Sequence, residues 1–379
     1  MRRDALVALA AGGTGGHMFP AEALARELLT RGCRVALVTD RRGQAWGDRV
    51  PGVELHRIRA GRFGAGVMSK VVGFAELALG TIEAGRLLRR LAPAIAVGFG
   101  GYPSVPTMLA AAQLSVPTLL HEQNAILGRA NRLLAPRVRR IATSFPDVSA
   151  VRPADRARLV ETGNPVRPAV TALRGTPYPA LAANAPFHVL VLGGSQGARV
   201  LSEAIPAACA RLPEPLRRRL RLAQQARPED IEAVRRAHAA SSVAAELATF
   251  FDDVPARLAR AQLVISRSGA STVAELAMIG RPAILVPYLH AADDHQTANA
   301  RALEQAGGAW VMAHAEFTPD ALAVRLAQLI AAPETLARAA AAAHALGRPN
   351  AARALADLVI ATIEGRNGHP APLARENAA

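Results

Sequence analysis

The sequence is poor in the residues that build disulfide scaffolds and zinc sites. Its 379 residues include two cysteines, Cys33 and Cys209, which lie far apart and form no metal-ligand spacing. A reduced cytoplasmic setting without a structural metal fits this cysteine usage best. Aromatic residues make up 4% of the chain, and no basic run is interleaved with them. We therefore expect no nucleic-acid partner, because such surfaces combine basic and aromatic side chains.

Lysine is almost absent, since Lys70 is the sole lysine, yet the formal net charge is +15. Arginine supplies this charge and is so abundant that a single arginine carries little weight. A strongly basic chain is attracted to anionic partners, which include nucleic acids, acidic membrane faces and phosphate-bearing substrates.

The chain also lacks an uninterrupted apolar run that could cross a bilayer. Residues 91–120 carry no charge, but four prolines and three glycines interrupt them, so we expect buried strands and loops there. The first 13 residues have the basic and apolar character of a signal peptide. Asp4 interrupts that pattern and a glycine loop follows it, so a strand is expected instead.

Short apolar runs alternate with helical patterns, which predicts parallel sheets covered on both faces. A helix is expected over 20–32, between Pro20 and Gly32. The expected strands are 4–11, 34–40, 53–58, 94–98, 117–121 and 139–143, then one that opens at 187, and 219–224, 246–250, 262–266, 282–286 and 309–312.

The same order of strand, glycine loop and helix occurs twice, so the fold class is α/β with two doubly wound, Rossmann-like domains. We place the first domain at 1–163, a linker rich in Pro, Gly and Asn at 164–186, and the second domain at 187–363. The polar tail 364–379 is expected to be disordered.

Each predicted domain opens with a glycine loop between a strand and a helix. The first is "AAGGTGGHMFP", in which His17 follows the glycines directly, and the second is "LGGSQGARV". Such loops let the backbone approach a phosphate closely. The first loop does not match a nicotinamide or flavin site, because Met18 stands where the third glycine is needed. A pair of tight turns without a ligand is the alternative.

Other polar stretches follow predicted strands, where ligands bind in parallel sheets. They are "GFGGYPS" (98–104), "HEQN" (121–124), "SRSGASTVAELAMIGRP" (266–282) and "HAADDHQTAN" (290–299). The small residues that open the third stretch suit a phosphate at a helix start, and its Glu275 suits sugar hydroxyls.

Seven motifs in this order resemble the MurG family, the bacterial N-acetylglucosaminyltransferases that convert lipid I to lipid II in peptidoglycan synthesis. They are "GGTGGHMFPAEALA", "GFGGYPS", "HEQNAILGRANRLL", "TGNPVR", "LGGSQGAR", "SRSGASTVAELAMIGRPAILVP" and "DDHQTANA", and the resemblance runs from about residue 4 to about 363.

The resemblance implies a GT-B architecture, in which two Rossmann-like domains are separated by a cleft. It implies an inverting transfer of GlcNAc from UDP-GlcNAc to the C4 hydroxyl of MurNAc in lipid I. The first domain would bind the acceptor and the membrane, and the second would bind the donor. It further implies no bound cofactor and a peripheral location on the cytoplasmic face of the inner membrane.

Two residues have catalytic roles on this basis. His17 is the expected general base, because an imidazole titrates near neutral pH. The alternative is that His17 binds a phosphate or caps a helix. Glu122 is expected beside it, and its alternative is an ordinary structural or capping carboxylate.

The resemblance also implies two sets of binding residues. Those expected to bind the donor are Thr14, Gly15, Gly16, Asn124, Arg167, Ser195, Phe251, Ala270, Ser271, Thr272, Val273, Ala274, Glu275 and Gln296. Those expected to bind the acceptor or its diphosphate are Gly12, Gly13, Gly100, Gly101, Tyr102 and Ser104. A buried core aromatic is the alternative for Phe251. The acid pairs 252–253 and 293–294 are taken as caps or solvated acids, because adjacent side chains point apart.

Residues 62–90 are expected to contact an anionic membrane surface, because apolar side chains lie between basic ends. The apolar set is Val67, Val71, Phe74, Leu77, Leu79 and Ile82, and the basic set is Arg62, Lys70, Arg86, Arg89 and Arg90. A core helix with solvated ends is the alternative.

Two other functions compete with this one. A GT-B glycosyltransferase that makes glycolipids or decorates a natural product would share the donor half, but "GGTGGH" and "HEQN" argue against it. A nucleotide-binding regulator without catalysis would need no base after the first loop, and His17 argues against that.

Overall fold

The computed structural model describes residues 4–12, 15–40, 50–61, 66–182, 184–194 and 197–365. The chain divides into two compact units. The first consists of Met1–Arg167 and Arg348–Ala379, and the second of Pro168–Gly347.

The first unit is built on a parallel sheet. Its elements up to Arg167 are β1 (Leu6–Ala10), α1 (Gly15–Thr30), β2 (Arg34–Thr39), β3 (Val53–Arg57), α2 (Val67–Leu91), β4 (Ile95–Gly98), α3 (Val105–Gln113), β5 (Thr118–Glu122), α4 (Arg129–Leu134), β6 (Arg140–Thr143) and β7 (Leu159–Glu161). Among the described residues these strands form one sheet in the order β3-β2-β1-β4-β5-β6-β7, and every pairing is parallel.

The second unit repeats this architecture. Its elements are α5 (Pro168–Thr171), β8 (Phe187–Leu192), α6 (Arg199–Arg211), α7 (Glu214–Arg219), β9 (Leu220–Gln225), α8 (Ile231–Ala240), β10 (Ala244–Ala248), α9 (Val254–Arg260), β11 (Leu263–Ser266), α10 (Ala270–Ile279), β12 (Ala283–Leu285), α11 (His295–Gln305), β13 (Ala309–Val311), α12 (Pro319–Ile330) and α13 (Pro333–Ala345). Its described strands run β10-β9-β8-β11-β12-β13, all parallel.

Strand order reverses beside the first strand of each sheet, at β1 between β2 and β4 and at β8 between β9 and β11. In such sheets ligands bind at the carboxyl ends of the strands that flank this point. Both glycine loops of the sequence lie there. The expected fold class, α/β with two doubly wound domains, is confirmed.

Strands buried on both faces explain the continuous apolar runs. All five residues of β1 are buried. Val7 and Leu9 belong to one core, and Ala8 and Ala10 to the core on the opposite face. An amphipathic pattern is absent from β1 because neither face meets water.

The last helix, α14 (Ala351–Ile363), belongs to the first unit rather than the second. Leu355, Leu358 and Val359 pack in the same core as Val7. The domain expected at 187–363 therefore extends too far at its carboxyl end. A helical pattern shows which face of a helix is apolar, but it does not show which sheet that face covers.

The stretch expected as a loose linker packs onto the second unit from Pro168 onward. Val170 is fully buried, and the hydroxyl of Tyr178 donates to the carbonyl of Gln262 over 2.8 Å. The stretch is therefore packed against the second unit, although it is rich in proline and glycine. Of the expected tail, residues 366–379 lie outside the described residues.

Helix α1 begins at Gly15, five residues before the expected start at Pro20. Pro20 lies inside the helix and is buried. Because proline has no N–H, the helical hydrogen bond to the carbonyl of Gly16 is missing. The last glycines of the first loop and His17 are thereby the opening turns of α1.

Residues 92–120 contain β4, α3 and the beginning of β5. The expected strands are present, but a helix, α3, lies where loops were expected, and Pro106 is in its first turn. In the part of the chain that the structure describes, no helix has both the length and the apolar character needed to cross a membrane.

Candidate active site

The first glycine loop lies against the segment that follows β4. A Cβ atom at Gly12 would lie 2.7 Å from Cβ of Pro103 and 3.1 Å from Oγ1 of Thr39. The absent side chain thus allows the two loops to pack together at the switch point. Gly13 and Thr14 lie outside the described residues, and Gly16 is in the opening turn of α1.

His17 reaches this switch point from α1, and its ring is partly buried. A Cβ atom at Gly101 would lie 3.3 Å from Nε2 of His17, and one at Gly100 would lie 3.5 Å from Cε1. Both glycines have positive φ angles, +81° at Gly100 and +71° at Gly101. Glycine is needed here both for this backbone conformation and for the space beside the imidazole.

A chain of hydrogen bonds runs inward from His17. Its Nδ1 lies 3.2 Å from Oε1 of Gln123, and Nε2 of Gln123 lies 3.0 Å from both the carbonyl of Phe99 and Nδ1 of His121. Nε2 of His121 lies 3.2 Å from the carbonyl of Gly163. Burial lowers the pKa of His121 to about 4, so this imidazole is neutral near pH 7.

The Glu122 carboxylate is buried and accepts four hydrogen bonds. The donors are the backbone N–H and Nδ2 of Asn124, both at 3.0 Å, and the N–H of Gly128 and Nδ2 of Asn131, both at 2.8 Å. These are the contacts of a structural carboxylate, the alternative weighed from the sequence. The carboxylate fixes Asn124 at the end of β5.

The other residues assigned to the acceptor lie on the segment after β4. Tyr102 is exposed, whereas Ser104 is buried and its Oγ donates to the carbonyl of Gly101 over 2.9 Å. Ser104 therefore braces the glycine pair. Arg167, assigned to the donor, is the last residue of this part of the first unit, and its guanidinium lies 5.2 Å from the ring centroid of Phe19 on α1.

In the second glycine loop, the N–H of Gly197 donates to the carbonyl of Gly194 over 3.1 Å. Gly194 and Gly197 have φ angles of +81° and +70°, and a Cβ atom at Gly197 would lie 2.4 Å from Cγ of Arg227. The N–H of Gly193 donates to Oε1 of Gln225 over 3.2 Å. Ser195, assigned to the donor, lies outside the described residues.

Helix α10 presents a bare amino terminus made of small residues. Its cap is Gly269, no side chain caps it, and its first turn holds no acidic residue. Its first three residues are those assigned to the donor, Ala270, Ser271 and Thr272. The unpaired N–H groups and the helix dipole favour an anion at this position.

Side chains further along α10 point into the unit. Val273 and Glu275 are both buried, and the assigned Ala274 is partly exposed. The Oγ of Ser271 is buried and has no hydrogen-bond partner among the described residues. A buried hydroxyl of this kind can still accept or donate one bond at the start of the helix.

Gln296 lies beside this helix start, on α11. Ser268 Oγ donates to the carbonyl of Gln296 over 2.8 Å, and Oε1 of Gln296 accepts the N–H of Tyr288 over 3.0 Å. The structure gives its Nε2 no partner within the described ranges. Its side chain is therefore held through the oxygen while the amide donors remain available.

Phe251 is buried, as the core alternative expects, and the guanidinium of Arg257 lies 4.0 Å from its ring centroid. Among the described residues it belongs to none of the three hydrophobic clusters. Arg257 in turn donates to Asp253 over 2.6 Å and to Glu246 over 2.7 Å. In the second acid pair, Asp294 accepts from Thr297 over 2.7 Å. Asp253 and Asp294, one from each acid pair, are thus engaged in local bonds.

Sequence reasoning missed several polar residues at these strand ends. Gln123 and His121 belong to the quoted "HEQN", and the two-residue period of a strand would have placed them on the face opposite Glu122. Asn164, within "TGNPVR", is 6% exposed, and both its amide atoms lack a partner among the described residues. Arg267, within the quoted "SRSGASTVAELAMIGRP", donates to the carbonyls of Val286 and Pro287 over 3.1 and 2.9 Å, and no role was predicted for it from the sequence.

Helix α2 presents apolar side chains to solvent. Phe74 is 63% exposed and Ile82 is 52% exposed, with Val72 and Leu79 also exposed. Its last turns carry Arg86, Arg89 and Arg90, all exposed. The opposite face, with Ala84, Leu87 and Leu88, packs in the core. We call the exposed residues 72, 74, 79, 82, 86, 89 and 90 the α2 surface.

From the sequence, Leu77 was counted with the apolar side chains that are expected to contact the membrane. Leu77 packs against the core of the first unit and is partly buried. The helix therefore combines the two alternatives, a core face and an exposed apolar face. Arg62 and the side chains of Val67, Lys70 and Val71 lie outside the described residues.

Comparison with known proteins shows the family. The Glycosyltransferase family 28 N-terminal domain matches residues 7–143, and the Glycosyltransferase family 28 C-terminal domain matches residues 188–355. Relatives from Rhodospirillum centenum and Paramagnetospirillum magneticum are 58% and 59% identical, covering 98% and 96% of this chain and 98% of each relative. Both are named UDP-N-acetylglucosamine--N-acetylmuramyl-(pentapeptide) pyrophosphoryl-undecaprenol N-acetylglucosamine transferase.

A solved structure agrees with this. The crystal structure of Acinetobacter baumannii MurG is similar with a TM-score of 0.77 and 30% identity, covering 94% of this chain and 99% of that one. The fold is thus that of GT-B glycosyltransferases. The chain belongs to glycosyltransferase family 28 and, within it, to the UDP-N-acetylglucosamine-dependent transferases of peptidoglycan synthesis.

Proposed function

We propose that this chain transfers GlcNAc from UDP-GlcNAc to the C4 hydroxyl of MurNAc in lipid I, with His17 as the general base. The observation that carries the role of His17 is its geometry. Its Nδ1 is tied to Gln123, while the Nε2 edge lies beside two glycines that contribute no side chain. An imidazole held at one nitrogen and open at the other can accept a proton from a bound hydroxyl.

The reaction breaks the bond between the sugar and the diphosphate and forms a bond to the acceptor oxygen. The acceptor hydroxyl loses its proton to Nε2 of His17 as its oxygen attacks the anomeric carbon from the opposite side. UDP leaves with the electron pair of the broken bond, so negative charge grows on the diphosphate. Catalysis therefore needs a base for the hydroxyl and positive potential for the leaving group.

The amino terminus of α10 is the proposed source of that potential. Its first-turn N–H groups carry no side-chain cap, and no acid opposes an anion there. Ser271 adds a buried hydroxyl without a partner among the described residues, and Gln296 is held through its amide oxygen. We assign the diphosphate to this helix start, the ribose to Glu275, and the sugar hydroxyls to Gln296.

Asn124 is assigned to the donor sugar, and Glu122 is assigned to Asn124. The four bonds that Glu122 accepts engage both of its oxygens and hold the amide of Asn124 in one orientation. In the first glycine loop, Gly12 and Gly13 are assigned to the acceptor or its diphosphate, together with Gly100 and Gly101 after β4. Thr14, Gly15 and Gly16 stay assigned to the donor. Arg167 and Ser195 keep their proposed contacts with UDP.

The α2 surface is proposed to bind the cytoplasmic face of the inner membrane. The lipid tail of the acceptor does not leave a bilayer readily, since each buried CH₂ is worth about 0.8 kcal/mol. An enzyme for that acceptor must therefore reach the surface. Phe74, Leu79 and Ile82 offer apolar contact, and Arg89 and Arg90 offer attraction to anionic lipid.

A transfer assay with the purified chain tests the function. UDP-[14C]GlcNAc is supplied with a short-chain lipid I analogue, and the product is separated from free GlcNAc. We expect disaccharide formation that depends on the MurNAc C4 hydroxyl, and none with a 4-deoxy analogue. Transfer to unrelated acceptors alone would favour another GT-B glycosyltransferase. UDP-GlcNAc binding without transfer or hydrolysis would favour a nucleotide-binding regulator.

A further inference from the structure

We propose that Gln123 is a positioning residue that holds His17 in the Nδ1-protonated tautomer and so leaves Nε2 as the base. This inference rests on the proposed role of His17 for its effect on catalysis. The tautomer itself follows from the hydrogen bonds around Gln123 and can be measured without any reaction.

The argument begins at the inner end of the network, with His121. The carbonyl of Gly163 lies 3.2 Å from Nε2 of His121, and a carbonyl can only accept. Nε2 of His121 is therefore the protonated nitrogen. His121 is fully buried and neutral, so it has one ring proton and its Nδ1 must accept a hydrogen bond.

His121 and two carbonyls then fix the orientation of the Gln123 amide. Its Nε2 lies 3.0 Å from Nδ1 of His121, 3.0 Å from the carbonyl of Phe99 and 3.2 Å from the carbonyl of His121. All three of these atoms are acceptors. The opposite orientation would place Oε1 against three acceptors, and Gln123 is 2% exposed, so no bulk water could relieve that repulsion.

With the amide so oriented, Oε1 faces His17. The distance from this oxygen to Nδ1 of His17 is 3.2 Å, and an amide oxygen only accepts. Nδ1 of His17 must donate the proton. In the neutral imidazole the lone pair is then on Nε2, the nitrogen beside the open edge formed by Gly101.

The arrangement differs from a carboxylate–histidine pair in one physical respect. A carboxylate would fix the tautomer with a full negative charge, whereas Gln123 fixes it with a neutral dipole. The buried backbone carbonyl of Gly163, at the far end of β7, anchors the series of bonds. Loss of the tautomer leaves the base with its proton on the wrong nitrogen, which is costly in enzymes that depend on imidazole.

Nuclear magnetic resonance measures the tautomer directly. The full chain is labelled with ring-15N histidine, and two-bond proton–nitrogen correlations distinguish Nδ1–H from Nε2–H. The chain has 10 histidines, and the signals of His17 are those that vanish in His17→Gln. We expect the Nδ1–H pattern for neutral His17. An Nε2–H pattern, or an equal mixture of the two, would overturn the inference.

Gln123→Leu replaces the amide with an apolar side chain that is one atom shorter, so it removes the acceptor. We expect His17 to lose its single tautomer, and kcat to fall about tenfold or more while the Kd for UDP-GlcNAc stays unchanged. Gln224→Leu is the matched control, because Gln224 is also fully buried and its Oε1 lies 2.9 Å from Nε2 of His238 in the second unit. It should leave the His17 tautomer and kcat unchanged.

The outcomes separate this inference from the proposed function. If His17→Ala keeps normal turnover while wild-type His17 shows Nδ1–H, the base assignment fails and the tautomer assignment stands. If His17→Ala is inactive but Gln123→Leu leaves both the tautomer and kcat unchanged, the positioning role fails. Should Gln123→Leu not fold, the wild-type spectrum alone still decides the tautomer.

Discussion

Nδ1 of His17 and Oε1 of Gln123 lie 3.2 Å apart and join the opening turns of α1 to the end of β5. Neither residue is explained by packing alone. The bond ties the partly exposed imidazole to a buried amide, and it places the other face of the ring beside Gly100 and Gly101. His17 of "GGTGGH" and Gln123 of "HEQN" are therefore brought into contact.

Gly101 is expected to be essential for turnover beyond its backbone conformation. In Gly101→Ala the new Cβ would lie 3.3 Å from Nε2 of His17 and would crowd the edge where the acceptor hydroxyl approaches. We expect kcat to fall roughly tenfold or more, with little change in donor Kd. Steady-state kinetics and calorimetry check this.

Gly32→Ala is the control for backbone strain. Gly32 has a φ of +77°, close to that of Gly101, and a Cβ there would meet nothing within 4 Å. Both variants should lose stability, and Gly101→Ala should lose more, because its φ of 71° and ψ of 157° lie in a region that is essentially reserved for glycine. If Gly32→Ala lowers kcat as much as Gly101→Ala does, the effect is one of stability and the local argument fails.

Donor binding is expected to depend on Glu275 and Gln296. Glu275→Ala should raise the KM for UDP-GlcNAc by roughly tenfold, because a buried hydrogen bond to a ribose hydroxyl is lost, and the KM for the acceptor should stay the same. Gln296→Ala should act in the same direction. Glu316→Ala, at an exposed position in the second unit, is the control. Unchanged UDP-GlcNAc binding by calorimetry in both variants would contradict these assignments.

Membrane binding is expected to follow the α2 surface. Replacing Phe74, Leu79 and Ile82 with Ser, and Arg89 and Arg90 with Gln, should weaken binding to anionic vesicles roughly tenfold or more. Wild-type binding should fall as salt rises, since screening shortens the reach of these charges. Activity on a short-chain soluble acceptor should survive. Vesicle co-sedimentation measures the binding.

A control with an equal change of charge uses exposed residues of the second unit. It combines Val324→Ser with Arg235→Gln and Arg236→Gln, and it should sediment with vesicles like the wild type. Equal loss of binding in the control and the α2 variant would mean that net charge, and not this surface, governs the interaction.

Stability is expected to fall in mild acid because of His121 and His238. Burial lowers the pKa of each to about 4, against about 6.5 in the unfolded chain. Between these values the unfolded state binds protons that the native state does not, so stability is lost as pH falls from 6.5 toward 4. Each histidine lowers the free energy of unfolding by about 2 kcal/mol as the pH falls from 7 to 5.

Urea unfolding at the two pH values measures this loss. In His238→Gln, the difference between the unfolding free energies at pH 7 and pH 5 should be smaller by the contribution of one histidine. An unchanged difference in that variant, with a native-like spectrum, would show that His238 is not the source.

Much of the fold was predictable because it follows from local sequence patterns. Apolar runs such as β1 predict the strands, and the two glycine loops mark the strand ends where ligands bind in sheets of this kind. The destination of α14 was not predictable, since an apolar helix face fits either sheet. The start of α1 was predicted wrongly at Pro20 because proline favours the first turn of a helix. In α1 it lies inside the helix, which tolerates the loss of one backbone hydrogen bond.

The candidate site was predictable only where a residue type indicates chemistry. His17 was predicted because an imidazole directly after a glycine loop indicates a general base. Glu122 was predicted because a carboxylate after a strand indicates a catalytic or binding group. Gln123 is chemically unremarkable, and its importance arises from the carbonyls of Phe99 and His121 that fix its amide. Contacts of that kind depend on the tertiary fold and leave no spacing in the sequence.

The central claim is that His17 is the base, and the turnover of His17→Ala tests it most directly. With saturating UDP-GlcNAc and lipid I analogue, the account predicts a kcat lower by roughly a hundredfold or more. The Kd for UDP-GlcNAc should be unchanged, because the residues assigned to diphosphate and ribose are on α10. A kcat within about twofold of wild type, in a variant with a native spectrum, would contradict the account.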